Sequence, residues 1–147
     1  MAIKWAKVFL RLALGAAFLS AVADRVGLWP AEVSAWGNMD SFLSYMQMLA
    51  PWMPEAMVNP VGWAVTILEV LLGLALILGV QTRQAGIASA ALLTIFALSM
   101  SLFTGLKGAL DYSVFSAAAA AFSLSFFKHR FLELDSLLTK NDQPDQI

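Results

Sequence analysis

Four apolar runs, at residues 5–23, 61–80, 84–106 and 108–127, decide the solvent in which this chain folds. A bilayer core about 30 Å thick takes roughly 20 such residues as a helix. Lipid offers no hydrogen bonds, so each helix must satisfy its own backbone. Of the 147 residues, 60% are hydrophobic and 13% charged, whereas soluble domains carry about 25% charged residues. The runs predict an all-α protein, a four-transmembrane-helix bundle. Residues 1–140 form a single integral membrane domain and 141–147 a disordered tail. The segments "GVQTRQAG" and "TGLKGALD" leave room only for tight turns between the second, third and fourth spans.

Charge orients the bundle. Lys4, Lys7, Arg83, Lys128 and Arg130 fall on one side, and Arg25 and Lys107 on the other, beside Asp24, Glu32, Asp40 and Glu55. The positive-inside rule then makes both termini cytoplasmic and turns the long first loop outward. A net charge of -1 with no basic cluster excludes a nucleic-acid partner. Lys4 and Lys7, an apolar run and the Ala21–Ala23 "AVA" also resemble a cleaved signal peptide, although Arg11 interrupts the apolar region. No cysteine and one histidine are present. This argues against disulfides, iron–sulfur clusters and a multi-histidine metal site. Any redox role must use a bound organic cofactor or a partner protein.

The outer loop reads as a cap and not as a linker. Asp40 is a candidate N-cap for a short helix over Phe42 to Leu49, ended by Pro51 and Pro54. Trp29, Trp36, Tyr45 and Trp52 suit a membrane interface. Met39, Met46, Met48, Met53 and Met57 are soft potential Cu(I) ligands. Met46 and Met48, two apart on a helix, point about 160° away from each other, which favours flexible apolar filler and no metal. In the tail, Phe127, Phe131, Leu134 and Leu138 recur at helical spacing. They predict a C-terminal amphipathic helix continuing from the fourth span. His129, between Lys128 and Arg130, reads as a solvated headgroup neighbour.

The polar residues inside the spans carry the functional signal. "VTILEVLLGLALILGV", residues 65–80, places Glu69 in an otherwise apolar helix. Gly62, Glu69, Gly73, Leu76 and Val80 fall within about 60° of one another on a helical wheel, and small residues mark a face that meets another helix. Glu69 therefore points into the bundle, since a carboxylate facing lipid at mid-depth costs about 2.5–3.5 kcal/mol on insertion scales. Asp24, Arg25, Glu69, Asp111 and Tyr112 are expected to converge in the outer half, with Arg11 nearer the cytoplasmic side and free to snorkel to it. Ala90, Thr94, Ala97, Ser101 and Thr104 on the third span, and Asp111, Phe115, Ala118 and Phe122 on the fourth, would line the same interior. Such a cavity suits a small lipid-like or quinone-like molecule. The same acids and arginines would also serve as an internal salt-bridge network without any ligand.

"LEVLLGLALILGVQTRQAG", residues 68–86, resembles the second span and following turn of the DoxX family, with Glu69, Gly73, Gly79, Thr82 and Arg83 at the pattern's positions. "RLALGAAFLSAVADRVGLW", residues 11–29, resembles that family's first span. The resemblance implies a four-helix protein of the bacterial inner membrane. It also implies a link to membrane redox systems, such as a subunit of a thiosulfate:quinone oxidoreductase or a partner in oxidative-stress defence.

Two functions are compatible with these readings. In the first, the chain is a subunit or accessory of a membrane redox complex. It binds a quinone through Glu69 as proton acceptor or hydrogen-bond anchor, with Arg25, Asp111 and Tyr112 orienting the ligand. In the second, it is a non-catalytic scaffold or assembly factor whose aromatic cap or tail docks a partner protein. Membrane lipid is a partner in both, and a homo-oligomer would be needed for any larger pore. No motif for catalysis stands on its own, and no broken-helix repeat marks a transporter.

Overall fold

The computed structural model describes residues 1–128 and 131–138. His129, Arg130 and residues 139–147, including the tail expected to be disordered, lie outside the described residues. The described chain is helical: α1 (Ala2–Arg25), α2 (Met39–Leu49), α3 (Glu55–Leu78), α4 (Thr82–Ser99), a π-helical segment (Met100–Gly105), α5 (Leu106–Asp111), α6 (Val114–Leu124) and α7 (Leu134–Leu138).

Three helical runs are long and apolar enough to cross a membrane: α1, α3 and the continuous stretch Thr82–Asp111. Large apolar side chains such as Phe9, Leu71, Ile95 and Leu102 stand exposed along them. In water, so much exposed apolar surface would be an aggregation liability; in lipid it is the solvated face. The protein is a multi-pass membrane protein.

The expected fourth span, residues 108–127, is not one helix. α6 has 11 residues, about 16 Å at 1.5 Å per residue. The third run does not turn at "TGLKGALD". Gly105, at φ +107° and ψ 140°, kinks the run where the π-helical segment ends, and α5 carries it on to Asp111. The reversal comes at Tyr112 and Ser113, where Ser113 adopts φ +56°. Gly105 thus bends the chain without reversing it, and the π-helical segment lies just before the bend.

The tail differs as well. The helix stops at Leu124, Leu132 takes φ +51°, and only the short α7 follows. Phe127 and Phe131 lie outside any helix, so the amphipathic continuation is not formed. The cap helix forms and begins earlier than expected. Asn38, and not Asp40, caps it, accepting from the Ser41 amide at 2.8 Å. Phe42 and Met46 of α2 pack on Val58 of α3, with Met39 and Met53 filling around them.

Two close crossings set the frame. A Cβ on Gly15 would lie 2.8 Å from the Gly73 carbonyl oxygen, and one on Gly73 3.2 Å from the Gly15 carbonyl oxygen. α1 and α3 therefore touch backbone to backbone. At the other crossing, a Cβ on Gly86 would lie 2.9 Å from the Ala121 carbonyl oxygen, which brings α4 against α6. Below, "cap end" means the end of the bundle carrying α2 and "tail end" the opposite one.

Candidate functional site

α1 ends at the cap end with two adjacent charges that face different elements. The Asp24 carboxylate accepts from the Ser34 hydroxyl and from the amides of Ala35 (3.0 Å) and Trp36 (2.9 Å). It fixes the loop before α2. Arg25 reaches into the bundle instead. Its Nη1 donates to Glu69 Oε2 and, at 3.0 Å, to Thr66 Oγ1. The Thr66 hydroxyl in turn donates to the Gly62 carbonyl at 2.8 Å. Arg25 and Glu69 are each 3% exposed. The guanidinium lies 3.6 Å from the Phe42 ring centroid and 5.3 Å from that of Trp36. Both rings offer their negative faces to the cation. Arg25 Nε is buried and has no hydrogen-bond partner among the described residues.

A cavity of about 980 Å³ opens beside this pair. Its walls are α1 from Leu14 to Arg25, the loop residues Trp29 and Trp36, the face of α2 carrying Ser41, Tyr45 and Met48, and Glu69. Leu93, Phe96, Met100, Val114 and Ala117 close the far side. Burial pushes the Tyr45 hydroxyl above its usual range, against the opposing effect of its hydrogen bond with Thr104. Tyr45 therefore remains a neutral phenol near neutrality. The charged residues of the wall are two carboxylates, Asp24 and Glu69, and one guanidinium, Arg25.

Other sequence candidates lie elsewhere. Asp111 pairs with Lys107 on the exposed surface at the end of α5. It does not join Glu69, which is buried against Arg25. Tyr112 is 75% exposed at the rim of the cavity. Ala90, Thr94, Phe115, Ala118 and Phe122 line a separate shallow groove between α4 and α6. The face turned to the cavity is instead Leu93, Phe96 and Met100, since the α4–α6 crossing at Gly86 rotates α4 away from the expected orientation.

Arg11 does not snorkel. It is 2% exposed at the tail end, where Nε donates to the Leu76 carbonyl at 2.8 Å and Nη2 to Ile77 at 2.9 Å. Its Nη1 donates to the carbonyls of Leu132 (2.9 Å) and Phe131 (3.3 Å). Glu133 lies 3.7 Å from it and 2.6 Å from Lys7 Nζ. The sequence reading missed Glu133. The available signal is that Lys7 and Arg11, one turn apart on α1, need an acid at the tail end, where no span supplies one. Among the described residues no cluster of His, Cys, Asp and Glu is suited to hold a metal ion.

Residues 3–111 match the family described as methylamine utilisation protein MauE. No curated protein and no solved structure gives a match. The family match overturns the resemblance to DoxX, and with it the thiosulfate and oxidative-stress associations that the resemblance implied. The shared pattern has local explanations. Glu69 answers Arg25, Gly73 permits the α1–α3 crossing, and Gly79, at φ +72°, ends α3 in the left-handed conformation. Any helix pair with one buried ion pair and a tight turn can call for the same residues. By the match over residues 3–111, this chain belongs to the MauE family of methylamine utilisation membrane proteins.

Proposed function

We propose that this protein is an accessory of a methylamine-utilisation redox system in the bacterial inner membrane, with both termini cytoplasmic. Its cap-end cavity binds a neutral lipid-like or quinone-like molecule. The family name supplies the system. The observation that carries the ligand reading is the cavity itself: about 980 Å³, largely aromatic and aliphatic, with a buried ion pair in its wall. Sites for small molecules have this composition, mostly apolar with a few fixed polar groups. Positions of Lys4, Arg83 and Lys128 toward the tail end support the orientation.

In this reading Glu69 holds Arg25 in place and Arg25 presents a donor to an oxygen of the ligand. Native mass spectrometry of protein extracted from its own membrane in mild detergent tests it. The wild type is expected to retain a neutral mass of quinone or glyceride size. Glu69→Gln is expected to retain several-fold less while staying monodisperse. Equal occupancy in the two proteins refutes the role given to Glu69, and an empty wild type refutes the cavity reading.

A second reading is a scaffold that docks a partner protein. It is favoured by Leu28, Val33 and Trp52, all more than two-thirds exposed around the cap. A retained protein subunit with no small molecule would select it.

A further inference from the structure

The cavity is open at the cap end, where exposed Ser41, Ser44 and Tyr112 line it, and its lining also continues down the side of the bundle. One jamb of this side slot is α1. Ala17 is exposed, and Ser20 and Ala21 are half-buried, while all three line the cavity. The other jamb is α6, where Val114 and Ala117 are half-buried and line it too. Ala17 stands eight residues before Arg25 on a helix apolar enough to span, about 12 Å along the axis. The slot therefore descends from the cap end to a depth where hydrocarbon, not water, surrounds the helices. Small side chains leave it open. At its upper rim Trp29 is held against α1 by donating to the Ser20 carbonyl and hydroxyl, both at 3.1 Å, and Tyr112 stands on the α6 side.

The polar end of the cavity has its own selectivity. Arg25 Nη1 is committed to Glu69 and Thr66, and its guanidinium is flanked by Phe42 and Trp36. Asp24 and Glu69 give the wall an excess of negative formal charge. An anionic headgroup would meet two carboxylates and a guanidinium whose charge is already paired with one of them. A neutral oxygen acceptor fits the guanidinium donors that Glu69 and Thr66 leave unused, Nε among them. Exposed Ser41 and Ser44 of α2, also in the lining, offer hydroxyls at the wet edge.

We propose that the cavity is loaded sideways from the bilayer, through the slot between α1 and α6, by a neutral amphiphile. Its chain lies between Ala17 and Ala117 and its oxygen-bearing end sits beneath α2. The proposal rests on the cavity being a ligand site. Prenylated quinones and neutral glycerides share the required chemistry, a carbonyl or hydroxyl oxygen on a hydrocarbon chain.

The chain contains no cysteine, so Ala17→Cys carries a single thiol that can be modified after folding. The protein is placed in phosphatidylcholine vesicles containing a photoactivatable monoacylglycerol with the diazirine in its acyl chain. Cross-linked residues are then mapped by mass spectrometry. Unmodified protein is expected to cross-link at the inner wall, at Phe96 and Met100. Capping the introduced thiol with a benzyl thiosulfonate is expected to lower that cross-linking several-fold. A methyl thiosulfonate at the same thiol, or the benzyl reagent on Ile67→Cys at the exposed face of α3, is expected to leave it unchanged.

Inner-wall cross-links that survive the benzyl cap would overturn lateral loading and leave the ligand site standing. No inner-wall cross-links in unmodified protein would overturn the ligand site and lateral loading with it. A photoactivatable phosphatidate that cross-links as well as the monoacylglycerol would overturn the selection for a neutral end.

Discussion

Two buried arginines on one helix meet opposite fates. At the tail end Arg11 spends its guanidinium on four backbone carbonyls, those of Leu76, Ile77, Phe131 and Leu132. The first two belong to the last turn of α3, where carbonyls have no partner within the helix. Arg11 is in effect the cap of α3, and Lys7 with Glu133 completes the seal, Lys7 also reaching the Phe127 carbonyl at 3.3 Å. At the cap end Arg25 meets side chains and aromatic faces, keeps Nε unmatched, and borders a cavity. Burial of a charge therefore does not by itself mark a site. What separates the two is where the donors go. An arginine spent on backbone is architecture, and one held by another side chain beside empty space is available for recognition.

The largest effect that sharpens this contrast is expected from Arg11→Ala. It strands four carbonyls and leaves Glu133 with Lys7 alone. Loss of one partner from a buried ionic group costs about 3–5 kcal/mol. Thermal unfolding in detergent should show a larger loss than Arg25→Ala, and the reverse order would break the comparison. Arg11→Lys is expected to recover little, because an ammonium cannot reach carbonyls on two segments as a planar fork does.

Gly79→Ala comes next. A Cβ there would stand 2.5 Å from Arg11 Nη2 and 2.7 Å from Glu133 Cα, at φ +72°. Left-handed strain alone costs about 1–3 kcal/mol. The loss should shrink when measured in an Arg11→Ala background, since part of the clash is gone; strict additivity of the two would argue against it.

At the cap end, reversing the pair with Arg25→Glu and Glu69→Arg should restore only part of the stability that either single change removes. Phe42 and Trp36 present ring faces to position 25. Such contacts are worth about 0.5–2 kcal/mol to a cation and nothing to a carboxylate. Complete rescue in thermal unfolding would show the aromatic flanks to be passive.

The smallest effect is expected from Lys107→Ala. Its pair with Asp111 is 86% and 59% exposed, and exposed pairs of this spacing contribute about 0.3–0.5 kcal/mol. Unfolding should hardly move, and ligand occupancy should not move at all.

Much of this contrast is visible in the sequence, unevenly. The wheel that puts Glu69 and Gly73 on one face needs only helical periodicity, and both residues are buried in the structure. Arg25 stands at the end of its helix, where a contact with the next span depends on helix order alone. Asp111 could not be placed by the same means. Its position depends on whether the chain reverses at Gly105 or only kinks there and carries on through α5, and composition is the same in both cases. The Lys7–Arg11–Glu133 cluster was hidden for a different reason. Lys7 reads as a topogenic charge and Glu133 as the wet face of a tail helix. Only a chain reversal after Leu124 turns that acid inward. The DoxX resemblance failed because its motif records helix contacts, which bundles of other families also need.

Asp24 and Arg25 are neighbours in sequence, yet one grips the surface loop and the other the membrane interior. Trp36, whose amide is held by Asp24, lays its ring over Arg25 and closes the circuit. A protein landing on the cap cannot shift that loop without either tearing two amides from Asp24 or dragging Trp36 off the guanidinium. The loop and the buried Glu69 are thus tied to each other through two adjacent residues.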